Sequence, residues 1–181
     1  MIIQSVTNGA RIGFTIAIGL VSGLIIHTTL AATGLSLVIA QSDWAMKGIQ
    51  YAGAAYLFYL AYLGIKSDAS PIALEAKKEN TLSFWRRWRT GFFMNVLNPK
   101  VSLFFIAFFP QFLVLESEIP ISYQMITLGL IFMVQAILIF GLVCLIAGKL
   151  TTTLRSERFW NITKWVNVGV LALLGVGLLV G

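Results

Sequence analysis

Five long apolar segments alternate with polar connectors along the chain. Charged residues are confined to the connectors, with Lys100 as the exception inside a segment. A helix needs about 20 apolar residues to cross the hydrocarbon core of a bilayer, and each segment approaches or exceeds that length. The pattern predicts membrane spans at roughly residues 12–39, 48–65, 91–115, 119–148 and 166–181.

Backbone hydrogen bonding decides which structure these segments adopt. In lipid no water is present to bond a free N–H or C=O group, so each segment must satisfy its own backbone groups, which favours helices. The sequence therefore predicts an all-α fold, a polytopic transmembrane helix bundle that forms one domain over residues 1–181. The polar stretch of residues 66–90 is the predicted cytoplasmic loop.

The composition excludes an ordinary soluble domain. Hydrophobic residues make up 58% of the chain and charged residues 11%, with a mean hydropathy of +0.87. Soluble domains are about half apolar and about a quarter charged, and they could not bury this much apolar surface. The net charge of +6 does not indicate nucleic-acid binding, because the basic residues lie in the connectors between apolar segments.

The distribution of Lys and Arg predicts the orientation. Basic residues concentrate in the head of the chain, in the loop 66–90 and in the connector before the last segment, which five alternating crossings place on one side. Because Lys and Arg are retained in the cytoplasm, the N-terminus is predicted to lie inside and the C-terminus outside. The basic residues of these three regions are Arg11, Lys66, Lys77, Lys78, Arg86, Arg87, Arg89, Lys149, Arg155, Arg158 and Lys164.

Polar groups inside spans are costly, so each is a functional candidate. The densest group is Asn95, Asn98, Pro99 and Lys100. Pro99 lacks an N–H and breaks or kinks the helix, and half-helix termini inside transporters bind ionic groups of the substrate. Lys100 and the backbone at the break would then hold a carboxylate. The alternative is an interfacial kink, with Lys100 extending its charge to the cytoplasm.

The first segment carries Gly19, Gly23 and His27 at intervals of four, which places them on one helix face. Small residues at this spacing let another helix approach closely, either within the chain or in a homodimer. His27 is interpreted as a hydrogen-bonded packing residue or as a proton-sensitive residue of a transport pathway.

The sequence offers little for enzymatic chemistry. A single cysteine, Cys144, allows neither a disulfide nor a redox pair, and one His with one Cys cannot complete a metal site. We find no nucleophile elbow, phosphate-binding loop or paired carboxylates. We therefore expect no enzyme activity and no cofactor. A further polar residue, Gln135, lies within the fourth segment.

The third segment carries a recognisable motif. Phe93-Met-Asn95-Val-Leu-Asn98-Pro99-Lys100, followed by Leu103-Phe-Phe-Ile-Ala107-Phe-Phe-Pro110-Gln111-Phe112, resembles the central signature of the superfamily of lysine exporters (LysE) and homoserine/threonine exporters (RhtB). The resemblance extends over essentially the whole chain, including the glycine pattern that ends at His27 and the stretch Gly53-Ala-Ala-Tyr56-Leu.

The resemblance implies a secondary transporter in the bacterial inner membrane that exports amino acids or close derivatives, with membrane lipid around it and the proton gradient as driving force. It implies two inverted three-helix repeats, with Asn98, Pro99 and Lys100 at the break of the second. Asn95, Asn98, Pro99, Lys100 and His27 are the expected substrate-binding and transport residues, and Gly19 and Gly23 the expected packing residues.

One departure from the family pattern concerns the N-terminal side. Family members usually begin with a further span that ends in Pro-Gly-Pro, whereas this sequence begins Met1-Ile-Ile-Gln-Ser-Val-Thr-Asn-Gly. We therefore expect five of six spans. The alternative hypothesis is a truncated, non-transporting membrane protein of the same fold. A related membrane redox enzyme would need a second cysteine beside Cys144.

Overall fold

The structure is a computed structural model that describes residues 1–41, 43–67, 83–147, 153 and 156–180. These residues form helices and connecting turns, with no strand among them. The α-helices are α1 (Ile2–Asn8), α2 (Ala10–Leu30), α3 (Ser36–Gln41), α4 (Asp43–Lys66), α5 (Phe84–Val96), α6 (Pro99–Ala107), α7 (Ile121–Ile146) and α8 (Glu157–Val180). A π-helical turn (Ala31–Leu35) joins α2 to α3, and a 3₁₀ turn (Phe109–Phe112) follows α6.

The predicted all-α polytopic bundle is confirmed. Three helical stretches of the described chain are long and apolar enough to cross a membrane: Ala10–Ile39, α7 and α8. The pair formed by α5 and the segment Pro99–Phe112, bent by 51°, makes a fourth when it counts as one span. At about 1.5 Å per residue the 24-residue α4 is about 36 Å long. It is less apolar than the others, and its crossing stays a prediction.

Of the long helices, α5 and α8 extend furthest ahead of the predicted spans. The helix α5 starts at Phe84, inside the predicted loop, where the Ser83 hydroxyl accepts a hydrogen bond from the Arg86 N–H. The helix α8 starts at Glu157 rather than near Val166. Both extra stretches are rich in aromatic and cationic residues, whose long side chains are compatible with a helix that continues into the interface. Residues 68–82 of the predicted loop lie outside the described part.

The long helices pack in defined directions. Gly19 of α2 lies against Trp88 of α5 and Gly23 lies against Asn95, so α2 and α5 run parallel. Gly129 of α7 contacts Thr28 of α2, and α7 runs antiparallel to α2. Helices α4 and α8 pack antiparallel along their lengths. These are the relative directions that five alternating membrane crossings would produce.

The buried residues form two apolar clusters. The first lies between α2, α6 and α7, and the second lies between α4 and α8. Gly53 of α4 touches Ala107 of α6 so closely that no side chain fits between them, which packs the end of α6 against the second cluster. The first cluster contains Leu24, Ala31, Ala32, Ile39, Phe105, Phe109, Met125 and Ala136, and the second Ala54, Leu57, Ala61, Ala107, Val168, Leu171 and Leu178.

A reciprocal glycine crossing brings the backbones of α2 and α5 into close contact. A Cβ atom added to Gly19 would collide with the carbonyl oxygen of Trp88, and one added to Gly91 would collide with the carbonyl oxygen of Ile16. Small residues permit such close backbone approach in membrane bundles. Because α5 already occupies this face of α2, a homodimer would need another surface, and the homodimer itself stays a prediction.

The surface of the bundle is strongly apolar. Along α7 only 11% of the most hydrophobic stretch is buried inside the protein, and Leu138, Leu142 and Leu145 are exposed. Exposed apolar surface of this extent is unfavourable in water and favourable in lipid. The exposed side of α7 is therefore suited to lipid contact.

We expect Gly19→Ala to lower the free energy of unfolding by about 1–3 kcal/mol, because the added methyl group meets backbone atoms that cannot rotate away. Thermal unfolding of the purified protein in detergent measures this. The matched control is Gly169→Ala in α8, where an added Cβ meets nothing within 4 Å. The control should be neutral or slightly stabilising, and an equal loss in both variants would contradict the close crossing.

Candidate functional site

The helix formed by α5 and α6 is interrupted at Leu97 and Asn98. Asn98 adopts an extended conformation, and Pro99 is the first residue of α6. Proline is suited to the start of a helix because its missing N–H needs no partner there, and it disfavours a helical conformation for the residue before it. The sequence Asn98-Pro99 therefore ends one helix and begins another, which produces the 51° bend.

Asn98 satisfies most of the backbone groups that the break exposes. Its side-chain Oδ1 accepts a hydrogen bond from the Lys100 N–H at 3.0 Å. Its carbonyl oxygen accepts from the N–H groups of Val101 at 3.0 Å and Ser102 at 3.2 Å. The first turn of α6 is thus capped by the chain itself. Its amides have partners, which leaves the Lys100 side chain as the group that is able to meet an anion.

The carbonyl oxygen of Asn95, at the end of α5, is the meeting point of two helices. It accepts the Asn98 N–H at 2.9 Å, and Nε2 of His27 lies 3.3 Å away. His27 is buried in α2, with its ring 5.5 Å from the ring of Phe105. When Nε2 carries the proton, it donates to the Asn95 carbonyl and links α2 to the broken helix.

The side chain of Asn95 is buried against Gly23 of α2. A Cβ atom added to Gly23 would lie 2.8 Å from Asn95 Cβ, so the glycine makes room for the amide. Asn95 is only 7% exposed, and its side-chain oxygen Oδ1 has no hydrogen-bond partner among the described residues. A buried acceptor without a partner is costly, which makes Oδ1 a candidate contact for a hydrogen-bond donor.

A cavity of about 360 Å³ lies beside the break and is lined by α2, the π-helical turn and α6. π-Helical turns are rare and often occur at functional sites, because they displace side chains from the regular helical register. Most of the lining is aliphatic or aromatic, and His27 and Ser102 supply the side-chain polar groups. The lining residues are Ile26, His27, Leu30, Ala31, Gly34, Leu35, Val38, Val96, Ser102, Phe105 and Ile106.

Lys100 points away from this cavity. Its Nζ lies 3.5 Å from Oδ1 of Asn167 in α8, and the side chain lines a second, smaller cavity together with Lys164. The structure therefore brings His27, Asn95 and Asn98 together and directs Lys100 elsewhere. Gln135, also inside a predicted span, lies exposed on α7.

Sequence reasoning missed two features of the site. The apolar pattern does not reveal the π-helical turn at Ala31–Leu35, because one extra residue in a helical turn does not alter the apolar composition of the segment. The sequence places Lys164 in the basic connector and does not link it to Lys100. The one available signal is that Lys164 and Asn167 are three residues apart, which puts them on the same face of a helix that starts at Glu157.

Metal binding finds no support in the described part of the chain. Within it, no group of three or more His, Cys, Asp or Glu side chains is close enough to hold an ion. Cys144 is a free, buried thiol. The site as described is able to offer hydrogen bonds, an imidazole and apolar contacts.

The model of the LysE type translocator family matches residues 1–181. The chain belongs to the LysE type translocator family. The family predicted from the Asn-Pro-Lys segment is thus confirmed, and with it the assignment to membrane transport proteins.

Several relatives place the chain within this family. It is 32% identical over 180 residues to the membrane protein YrhP of Bacillus subtilis, covering 96% of this chain and 84% of YrhP. It is 34% identical over 110 residues to a homoserine/homoserine lactone efflux protein, and 31% identical over 112 residues to a leucine efflux protein, both of Salmonella typhimurium.

These two matches cover 60% and 61% of this chain. They span about half the length of each efflux protein, 52% and 51%. No solved structure matches the chain significantly.

We expect Asn98→Ala to destabilise the protein by about 1 kcal/mol, because the N-cap of α6 is lost. Asn98→Ser should retain most of the stability, since serine is an equally good cap. Thermal unfolding in detergent measures both. The matched control is Asn161→Ala on the exposed side of α8. If Asn98→Ala behaves like this control, the capping role is refuted.

Proposed function

We propose that this chain is a secondary transporter that exports amino acids or close derivatives across the bacterial inner membrane. The observation that carries the proposal is the interrupted helix α5–α6 beside a cavity lined mainly by α2, the π-helical turn and α6. Irregular backbone at membrane depth is tolerated where protein or a water-filled cavity surrounds it, and transporters place such breaks at their substrate sites. Membership in a translocator family gives the same class of function.

The cavity favours neutral substrates with apolar side chains. None of the described Asp or Glu residues lines it, so a cationic side chain such as that of lysine would be desolvated there without a described counter-charge. Aliphatic lining suits a side chain of the size of leucine. Relatives named for leucine efflux and for homoserine/homoserine lactone efflux agree with a small neutral substrate.

We assign the polar residues of the site distinct roles. Asn98 and Pro99 maintain the break. The unpartnered Oδ1 of Asn95 is the acceptor for the substrate ammonium group, and Lys100 is the cation for its carboxylate. The interactions must remain moderate, because a carrier has to release what it binds.

His27 is the proposed proton-coupling residue. Histidine is the side chain that most often serves as a proton-sensitive switch in proteins. In the part of the chain that the structure describes, no acidic or basic side chain lines the cavity beside it, and the hydrogen bond to the Asn95 carbonyl is its polar contact. A charge change at His27 would act directly on the end of α5.

Cells that express the chain and are loaded with leucine-containing dipeptide should release leucine several-fold faster than cells without it. Loading with lysine-containing dipeptide should give no such difference. Release into the medium and the intracellular amino acid are measured together. The double variant Asn98→Ala/Pro99→Ala should reach the membrane at the normal level but export less. Equal release with and without the protein, for all dipeptides tried, would refute the proposed function.

His27→Gln should flatten the pH dependence of transport while retaining a hydrogen bond to the Asn95 carbonyl. The measurement is leucine exchange in proteoliposomes at equal internal and external pH, between about pH 5.5 and 7.5, the range in which histidine side chains commonly act as switches. Gln135→Ala on the exposed side of α7 is the control and should keep the parent profile. An unchanged profile in His27→Gln would make His27 a packing residue.

A further inference from the structure

A second cavity, of about 140 Å³, lies where the end of α4, the start of α6 and the first half of α8 meet. Its polar lining comes from Ser67, Lys100, Lys164 and Asn167. It lies on the side of the break that faces away from His27. The orientation predicted from the basic residues puts this end of α4 and α8 towards the cytoplasm.

The cavity contains two ammonium groups and no described counter-charge. Lys100 Nζ lies 3.5 Å from Asn167 Oδ1, and Lys164 Nζ donates to the Ser67 carbonyl oxygen at 2.6 Å. These neutral acceptors orient the two side chains without cancelling their charge. Among the described residues neither lysine forms an ion pair. Both lysines retain N–H donors for a further partner, because an ammonium group has three.

The position of Lys164 and Asn167 distinguishes them from basic residues that only mark a membrane interface. They share a helix stripe with Val168 and Leu171, which are buried against α4. At Gly64 of α4 an added Cβ would lie 2.8 Å from Val168, so the two helices approach closely here. This approach brings Lys164 over the end of α4 and within the same cavity as Lys100.

The size and charge of the cavity suit a small oxyanion. A water molecule occupies about 30 Å³ in the liquid, so the cavity holds a few waters, or one carboxylate or phosphate group. Hydrogen bonds between ammonium groups and oxyanions are about twice as strong as neutral ones. With Oδ1 of Asn167 directed to Lys100, its NH₂ group is able to serve as a further donor.

We propose that Lys100, Lys164 and Asn167 form a binding site for a small oxyanion at the junction of α4, α6 and α8. One source of the oxyanion is the carboxylate of the exported amino acid, held there before the side chain enters the apolar cavity; this source rests on the proposed function. The other source is the phosphate group of an anionic lipid. Both present the same chemistry to the two lysines.

Lysine acetylation of the purified full chain in nanodiscs tests the site, with peptide mass spectrometry giving the rate at each lysine. The probe is 4-methylpentanoate, which carries a carboxylate and no amine to consume the reagent. Its neutral partner is 4-methylpentanamide. Lys47 and Lys66, exposed and outside the cavity, are internal controls. Sodium chloride matches the ionic strength in every sample, since salt screens exposed charges.

In phosphatidylcholine nanodiscs, 4-methylpentanoate at about ten times its dissociation constant should slow acetylation of Lys100 and Lys164 about tenfold, because only about a tenth of the sites stay free. Lys47 and Lys66 should not change, and 4-methylpentanamide should protect neither cavity lysine. If added phosphatidylglycerol protects both without any solute, and the carboxylate does not, the lipid phosphate is the source. No protection by either refutes the site.

Lys164→Gln separates binding from folding. It should weaken protection of Lys100 by 4-methylpentanoate about tenfold or more, the effect of losing one hydrogen bond to a charged group. The matched control Lys66→Gln removes the same charge at the end of α4 and should leave protection unchanged. Leucine efflux with the unaltered chain distinguishes the two proposals. Protection of the lysines without efflux would support the oxyanion site and refute the exporter. Efflux without protection would support the exporter and refute the oxyanion site.

Discussion

The fold depends on the need to satisfy backbone polar groups where a helix is interrupted among apolar residues. At the break between α5 and α6, the carbonyl of Asn95 would otherwise lose its helical partner. It accepts the Asn98 N–H, and His27 lies within hydrogen-bond distance from the neighbouring helix. The glycine crossing at Gly19 and Gly91 brings α2 close enough for this contact. Helix packing and the polar groups at the break thus support each other.

The break also separates two cavities of opposite character. The larger, beside His27, is mostly apolar and has no charged side chain among its described lining residues, and the smaller, around Lys100 and Lys164, is cationic. A neutral amino acid has a group that suits each cavity: an apolar side chain for the larger one and a carboxylate for the smaller one. Binding the two parts at different places on either side of a bent helix would let a substrate be passed on without being held tightly. This arrangement is the physical basis of the proposed export function.

Particular residues show how far sequence reasoning reaches. Proline breaks or kinks a helix wherever it occurs in the interior, so the break at Asn98 was predictable. A close helix contact at Gly19 and Gly23 was predictable as well. The direction of Lys100 was not, since its side chain is able to reach either side of the bend. The helix that packs against the face of Gly19 and Gly23 is also not determined by the local sequence. In this structure it is α5, although a second copy of the chain would fit the same pattern. Charged residues such as Lys164 and Arg86 lie outside the predicted spans but within helices α8 and α5, and the span limits themselves stay predictions.

The sequence by itself determined the environment, the helical class, the family and the position of the break. These follow from local quantities: the length of apolar segments, the missing N–H of Pro99 and the order of residues around it. Only the tertiary structure decided that His27 lies at the Asn95 carbonyl, that a π-helical turn lines the apolar cavity, and that Lys100 shares a cavity with Lys164. Each of these depends on contacts between residues that are far apart in the chain. Such contacts are set by the close approach of whole helices, which no single segment specifies.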